Sequence, residues 1–268
     1  TNADAQDRWM LTTPVSYPAD GTAMTTLRKS AANIRLGEYI ADATAESIAR
    51  YGLDTPRLVI RLHQAAGTIG TVGTTGSYAT TDYPESTITL VIGEQESDLV
   101  DYVLYDGGIY RCSTLLLRGV MNADWQETIT RYPVLTALGN LASLSRETAD
   151  GVDTWVITRT EQVAENNELV TDDEGNQVYD IALTKNGEPS DYTAFSAAYN
   201  QLMMVTMSGR LPDGWTAADA PHTVWTFTDV DGTVHTVALI RYDAMHDAVA
   251  IDGVALFYLI QDGFSLGI

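Results

Sequence analysis

The sequence predicts an α+β fold: two tandem repeats, each an antiparallel sheet with a helix packed on one face. Three observations carry this expectation. Helix-spaced apolar stripes and alternating strand patterns follow one order in both halves of the chain. An Asp-Gly turn closes a strand pair in each half, at Asp106-Gly107 and at Asp252-Gly253. The tips themselves, Tyr105-Asp106-Gly107-Gly108-Ile109-Tyr110 and Ile251-Asp252-Gly253-Val254-Ala255-Leu256, are the closest local match between the halves. Residues 1–120 then form the first β-α-β domain, 121–150 a helical connector and 151–268 the second domain.

Taken in order, Trp9 to Thr13 alternates as a short strand, broken by Pro14, Pro18 and Gly21. Asp20 or Thr22 can cap the helix that follows, whose stripe of Met24, Leu27, Ala31 and Ile34 reaches about Leu36. Thr44 to Tyr51 is a second short helix with Thr44 as N-cap. Gly52 sits where a helix C-cap needs positive φ, and Pro56 forbids continuation. Arg57 to His63 is a strand with Leu58, Ile60 and Leu62 on one face. Residues 65–81 are almost all Ala, Gly, Thr and Ser, which predicts a flexible hairpin excursion at the surface. The glycines there recur every third residue, but no helix and no lysine follow, so a phosphate loop has no support.

Strands 86–92, 101–105 and 109–113 complete the first half. Residues 114–150 look helical in patches, with Leu138, Leu141 and Leu144 spaced by three. The second half opens with a strand at 155–158 and a hairpin about the acidic turn 172–176. A helix at 191–208 carries Phe195, Tyr199, Leu202 and Val205; strands 222–228, 233–242 and 248–260 follow. Matching the halves makes Leu58, Ile60 and Leu62 correspond to Val224 or its neighbours Trp225 and Phe227 as core positions.

Composition narrows the function classes. The chain has 268 residues, 45% of them apolar, enough for a sizeable core. Its 36 acidic and 15 basic residues give a net charge of −21. That charge repels nucleic-acid phosphates and anionic lipid, so neither is expected as a partner. Cys112 is the single cysteine, so an internal disulfide and a cysteine-based zinc site are both excluded. No apolar run is long enough to span a membrane, so no direct insertion is expected.

Three stretches, Arg8-Trp9-Met10-Leu11-Thr12-Thr13-Pro14, Tyr51-Gly52-Leu53-Asp54-Thr55-Pro56 and Thr87-Ile88-Thr89-Leu90-Val91-Ile92-Gly93, carry a resemblance. They resemble, in residues and spacing, an uncharacterised bacterial family, domain of unknown function 4340. The resemblance is strongest over residues 8–120 and looser beyond. Its signature residues are Trp9, Tyr51, Gly52, Leu53, Asp54 and Pro56. It implies an extracytoplasmic part of a membrane-anchored protein, accessory to an ABC-type transport assembly and held by an N-terminal segment preceding Thr1. It implies no catalytic residue. The Gly/Thr insertion at 65–81 departs from the family's tight connection.

Chemistry of other kinds finds little support. His63, His222, His235 and His246 make no helical metal pair, although His222 and His235 fall on strands that can be neighbours. No Gly-x-Ser-x-Gly elbow occurs. Asp229-Val230-Asp231-Gly232 has part of a calcium-loop pattern but lacks its closing Glu, and reads as a hairpin turn. No catalytic residue, metal or cofactor is expected. Tyr102, Tyr105, Tyr110, Phe257 and Tyr258 lie in or beside the paired hairpins. Core packing is their ordinary role; an exposed aromatic strip for protein or glycan contact is the sharper one. The expected function is thus a non-enzymatic extracytoplasmic module with a protein partner. The alternatives are a peptide- or glycan-binding domain using a groove between repeats and, weakest, a carboxylate-dependent hydrolase.

Overall fold

The computed structural model describes residues 9–72, 78–164, 169–172 and 174–267. The chain divides into two compact units. Residues 9–11 with Pro18–Ile129 belong to one, and Thr12–Tyr17 with residues 130–267 to the other. The boundary falls inside the segment read as a connector.

In chain order come two short strands, β1 (Met10–Leu11) of the first unit and β2 (Tyr17–Pro18), which straddles the unit boundary and leads into helix α1 (Gly21–Ala32) of the first unit. Asp20 caps α1 by accepting from the Ala23 N–H at 2.8 Å. The helix stops at Asn33, short of the expected Leu36, because Leu36–Asp42 is strand β3. Ile34 and Leu36 fit a helical stripe and a strand alternation equally well, and tertiary pairing with β9 decides between them. Helix α2 (Ala45–Arg50) starts with a reciprocal capping box between Thr44 and Ser47. Then come β4 (Leu58–Gln64), β5 (Gly67–Val72), β6 (Tyr78–Tyr83), β7 (Ser86–Ser97), β8 (Val100–Tyr105) and β9 (Gly108–Ser113). Helices α3 (Thr114–Met121) and α4 (Trp125–Thr128) close the unit.

Its main sheet has five strands in the order β3-β9-β8-β7-β4, all neighbours antiparallel. Ile60, Leu90, Ile92, Val103 and Cys112 make the buried face, with Leu117 of α3 packed on them. Cys112 is 2% exposed, and burial together with the nearby Asp101 charge pushes its thiol pKa up, so it serves as a small hydrophobe. β5 and β6 pair only with each other, as a separate two-stranded hairpin. The excursion at 65–81 therefore contains ladder; residues 73–77 lie outside the described residues.

The second unit holds β10 (Leu141–Thr148), β11 (Gly151–Glu161), β12 (Tyr179–Lys185) and β13 (Glu188–Ser190). Helix α5 (Tyr192–Met203) is followed by β14 (Gly209–Arg210), β15 (Thr223–Asp229), β16 (Val234–Arg241), β17 (His246–Ile251) and β18 (Val254–Ile260). They build one antiparallel sheet of nine strands, β13-β12-β11-β10-β15-β16-β17-β18-β14. Asp191 caps α5 through the Thr193 and Ala194 N–H groups. The helix buries Phe195, Tyr199 and Leu202. Phe195 and Tyr199 meet an aromatic layer in which Trp155 and Trp225 stack at 6.4 Å and Phe227 lies edge-on to Tyr199. The Tyr199 hydroxyl donates to the Thr136 carbonyl at 2.9 Å, and the Thr136 hydroxyl donates to Asp229 Oδ1 at 2.7 Å, while the Trp155 and Trp225 indole N–H groups are buried without a hydrogen-bond partner.

The expected architecture of two helix-on-sheet repeats is corrected here. The described residues are mostly β, with 47% strand, 19% helix and four sheets. The physical reason lies in residues 121–150: the leucine spacing read as helix belongs to a 3₁₀ turn (Leu138–Asn140) and to β10, where a bulge between Leu141 and Ser143 disturbs the alternation. β10 to β13 then widen the second sheet beyond anything in the first unit. What the halves do share is connectivity. β15-β16-β17-β18-β14 follows the same chain order as β4-β7-β8-β9-β3.

Candidate interaction surface

The Tyr51 to Pro56 stretch is a clasp. Gly52 has φ +64°, the left-handed region a helix C′ residue requires. The Leu53 N–H donates to the Ile48 carbonyl at 2.9 Å and the Gly52 N–H to Ala49 at 3.3 Å, the two bonds of a Schellman motif. The turn is pinned onto β7: the Glu94 N–H donates to the Tyr51 carbonyl at 3.0 Å, and a Cβ on Gly93 would stand 2.4 Å from that same oxygen. Leu53 is buried, Pro56 half-buried and Asp54 exposed. Just beyond, Arg57 Nε donates to the Gly93 carbonyl at 2.7 Å and its Nη2 pairs with the fully buried Asp101. Trp9 is half-buried, with the Arg28 guanidinium 5.8 Å from its ring centre. These residues hold α2 on the sheet and set Trp9 against Arg28 of α1.

The tyrosines of the first unit split between faces, as alternation requires. Tyr105 packs against the buried cluster. Tyr110 meets Tyr39 edge-on at 5.6 Å, and the Tyr39 hydroxyl donates to Asp42 at 2.7 Å. Tyr102 lies beside Arg111 across the β8–β9 ladder and touches the Tyr51 ring at 4.4 Å. Arg111 forks onto Glu96 and also reaches Glu38. Its hydrogen bonds to Glu96 and Glu38 raise the Arg111 pKa further, and the Arg111 bonds in turn lower the Glu96 pKa.

In the second unit Phe257 and Tyr258 part company. Phe257 is 1% exposed and packs on Tyr17 in the core. Tyr258 points the other way, into an aromatic row. Its ring stacks on Tyr242 at 5.2 Å with an interplanar angle of 21°. Trp215 meets Tyr242 edge-on at 6.1 Å, and His246 meets Tyr258 at 4.9 Å. Leu211, Ile240, Ala248 and Ala250 form the buried bed of this row. Gly209 is the close approach that lets Tyr258 lie flat: a Cβ there would stand 2.2 Å from the Tyr258 hydroxyl. His246 pairs with Ile260 in the ladder, placing Ile260 on the same face, and the Gln261 N–H donates to the Met245 carbonyl at 2.9 Å. Ile260 and Met245 are 55% and 61% exposed, so the row ends in open apolar surface. Trp215 and Tyr242 carry no role in the sequence reading, and His246 enters it only as a weighed metal ligand. The spacings Ile240–Tyr242 and Tyr258–Ile260 place four residues on one face and were the available signal.

A family model for a domain of unknown function, DUF4340, matches residues 9–222. The chain belongs to this family. The matched segment of this DUF4340 chain includes the clasp and Trp215 and ends before β15, so Tyr242, His246, Tyr258 and Ile260 lie beyond it. No match was found among curated proteins or among solved structures.

Elsewhere in the DUF4340 chain, titratable groups are tied into ion pairs. His222 Nε2 and Arg241 Nη1 approach one oxygen of the buried Asp247, at 3.2 and 3.4 Å. His235 pairs with Asp252 at 2.9 Å, not with His222. Asp243 accepts from the Met245 and His246 N–H groups and meets the His246 ring, and these contacts lower its pKa. The Asp231 carboxylate accepts from the Thr233 N–H at 2.8 Å, a hairpin-turn bond. Among the described residues no group of three His, Cys, Asp or Glu is placed to hold a metal ion.

Proposed function

We propose that this chain is a non-enzymatic extracytoplasmic interaction module, accessory to a membrane-anchored ABC-type transport assembly, and that a protein partner docks on the aromatic face of its nine-stranded sheet. The observation that supports the docking face is the continuity of Trp215, Tyr242 and Tyr258 with exposed Met245 and Ile260. Aromatic residues and methionine are enriched at interface cores, and such a patch on a chain of net charge −21 stands out from its surroundings. The resemblance of the Tyr-Gly-Leu-Asp-x-Pro segment supports the extracytoplasmic setting. A photo-crosslinking residue at Ile260, in cells that make the protein naturally, tests both parts. The expected adduct is with an integral component of a transport assembly, and it is lost on Tyr258→Ala. Adducts confined to cytosolic proteins, or none, would overturn the reading.

A second reading has its own support. Trp215, Tyr242 and Tyr258 form one contiguous aromatic row, the kind of surface a sugar ring or proline packs on. Saturable quenching of tryptophan fluorescence by cell-wall glycan fragments, lost in Trp215→Phe, would favour it over a protein partner.

A further inference from the structure

A cavity of about 450 Å³ opens in the first unit beside the start of α3, lined by Gln95, Asp98, Thr114, Arg118, Met121 and Asn122. Two elements build it. Thr114, Arg118 and Asn122 are spaced by four along α3 and its end, so they share one face. A long side chain on a helix leans toward the N-terminus, which carries Arg118 back toward the Thr114 turn. Gln95 and Asp98 come from the end of β7 and the turn before β8. The Thr114 N–H donates to the Leu99 carbonyl at 2.9 Å and so ties the helix start to that turn.

One buried polar group of this cavity is left without a protein partner. Ser113 occupies the N-cap position of α3 but makes no side-chain cap bond. Thr114 is 7% exposed, and its hydroxyl is buried with no hydrogen-bond partner. A buried unpaired hydroxyl is unfavourable in the free protein, and at the wall of an open cavity it can take its missing bond from an incoming group. The helix N-terminus, the threonine hydroxyl and the Arg118 guanidinium together favour a carboxylate. Asp98 contributes the opposite charge, and no aromatic ring lines the cavity for a sugar to stack on.

We propose that this cavity binds a small zwitterion of the α-amino-acid class. The carboxylate lies toward Thr114, Arg118 and the first turn of α3, and the ammonium toward Asp98. The site is in the first unit, so it stands or falls independently of the aromatic face. The experiment is calorimetric titration of the whole 268-residue chain with each of the twenty free amino acids, and with the N-acetyl form and the carboxamide of the tightest. At least one amino acid binds, and blocking either charged end weakens it by about tenfold or more. Thr114→Val and Arg118→Gln each weaken the free amino acid to a similar degree. Asp98→Asn removes the preference over the N-acetyl form without preventing binding of the carboxylate. Arg118 and Asp98 are exposed, so their variants fold, as circular dichroism verifies. No binding by any of the twenty overturns the proposal. So does equal binding of the N-acetyl form, which would mean a plain anion site, or an Arg118→Gln variant that binds as the parent does.

Discussion

Gly52 shows how much a single backbone position can carry. Its φ of +64° closes both Schellman bonds and aims Leu53 into the sheet. Gly52→Ala therefore destabilises the protein by about 1–2 kcal/mol, the cost of holding an L-residue in the left-handed region. The new Cβ would also stand 2.3 Å from Glu94 Cγ, a flexible side chain that can move. Adding Glu94→Ala separates the two effects in denaturant unfolding: if the loss is backbone strain, the double variant recovers little, and full recovery would assign it to the clash. Two tyrosines give a pH prediction at the same scale. Burial raises the pKa of Tyr17 and Tyr199 well above the ordinary 10.0. A raised folded-state pKa contributes stability that is intact below the unfolded value and lost as pH climbs above it. Ultraviolet titration should show these two phenols ionising only together with unfolding, while exposed tyrosines ionise first. Ionisation of all fourteen ahead of unfolding would contradict the burial argument.

At the scale of elements, the β5–β6 hairpin is the piece most separable from its sheet. Among the described residues it pairs with nothing but itself, and an isolated hairpin is marginally stable in water. Gln64 and Ser86 face each other at the end of the β4–β7 ladder, so an Asn-Gly turn can replace residues 65–85. That deletion should change stability by less than about 1 kcal/mol, read as a small shift in thermal midpoint. Loss of soluble expression would show that the hairpin packs on or binds something. The same scale shows what could be read from the chain. The N-cap at Thr44, the turn at Gly52, the Asp106 and Asp252 hairpins and the α5 stripe were legible because each rests on local chemistry. β3 and β10 were not, because Leu36–Asp42 and Leu141–Thr148 carry patterns that only their partner strands resolve. The aromatic row was half legible. Tyr258 was visible beside its turn, but Trp215 joins it from a segment without strand or helix, so its place depends on tertiary packing. The α3 cavity gave no sequence signal, since its residues come from two elements and no one of them is unusual.

At the scale of the whole molecule, the path of the chain matters more than the count of strands. Residues 12–17 lie between two segments of the first unit in sequence yet belong to the second. Tyr17 is the anchor of that strap, with 0% exposure and its ring 6.3 Å from Phe257. The contact joins residues 240 positions apart in sequence, so its loop-closure entropy must be met by the burial it gains. The Tyr17 hydroxyl is buried with no hydrogen-bond partner, so the ring and not the polar group supplies the stabilisation. Two substitutions follow with opposite outcomes. Tyr17→Ala removes the ring and should cost about 3–5 kcal/mol. Tyr17→Phe removes only an unsatisfied hydroxyl and should leave stability equal or higher. The location of the damage is the sharper test. Hydrogen exchange in Tyr17→Ala should lose protection across β17 and β18, the strands around Phe257, while β4, β7 and β8 of the first unit keep theirs. Equal loss in both units would mean that they unfold as one body, and that residues 12–17 are not a strap serving the second unit alone.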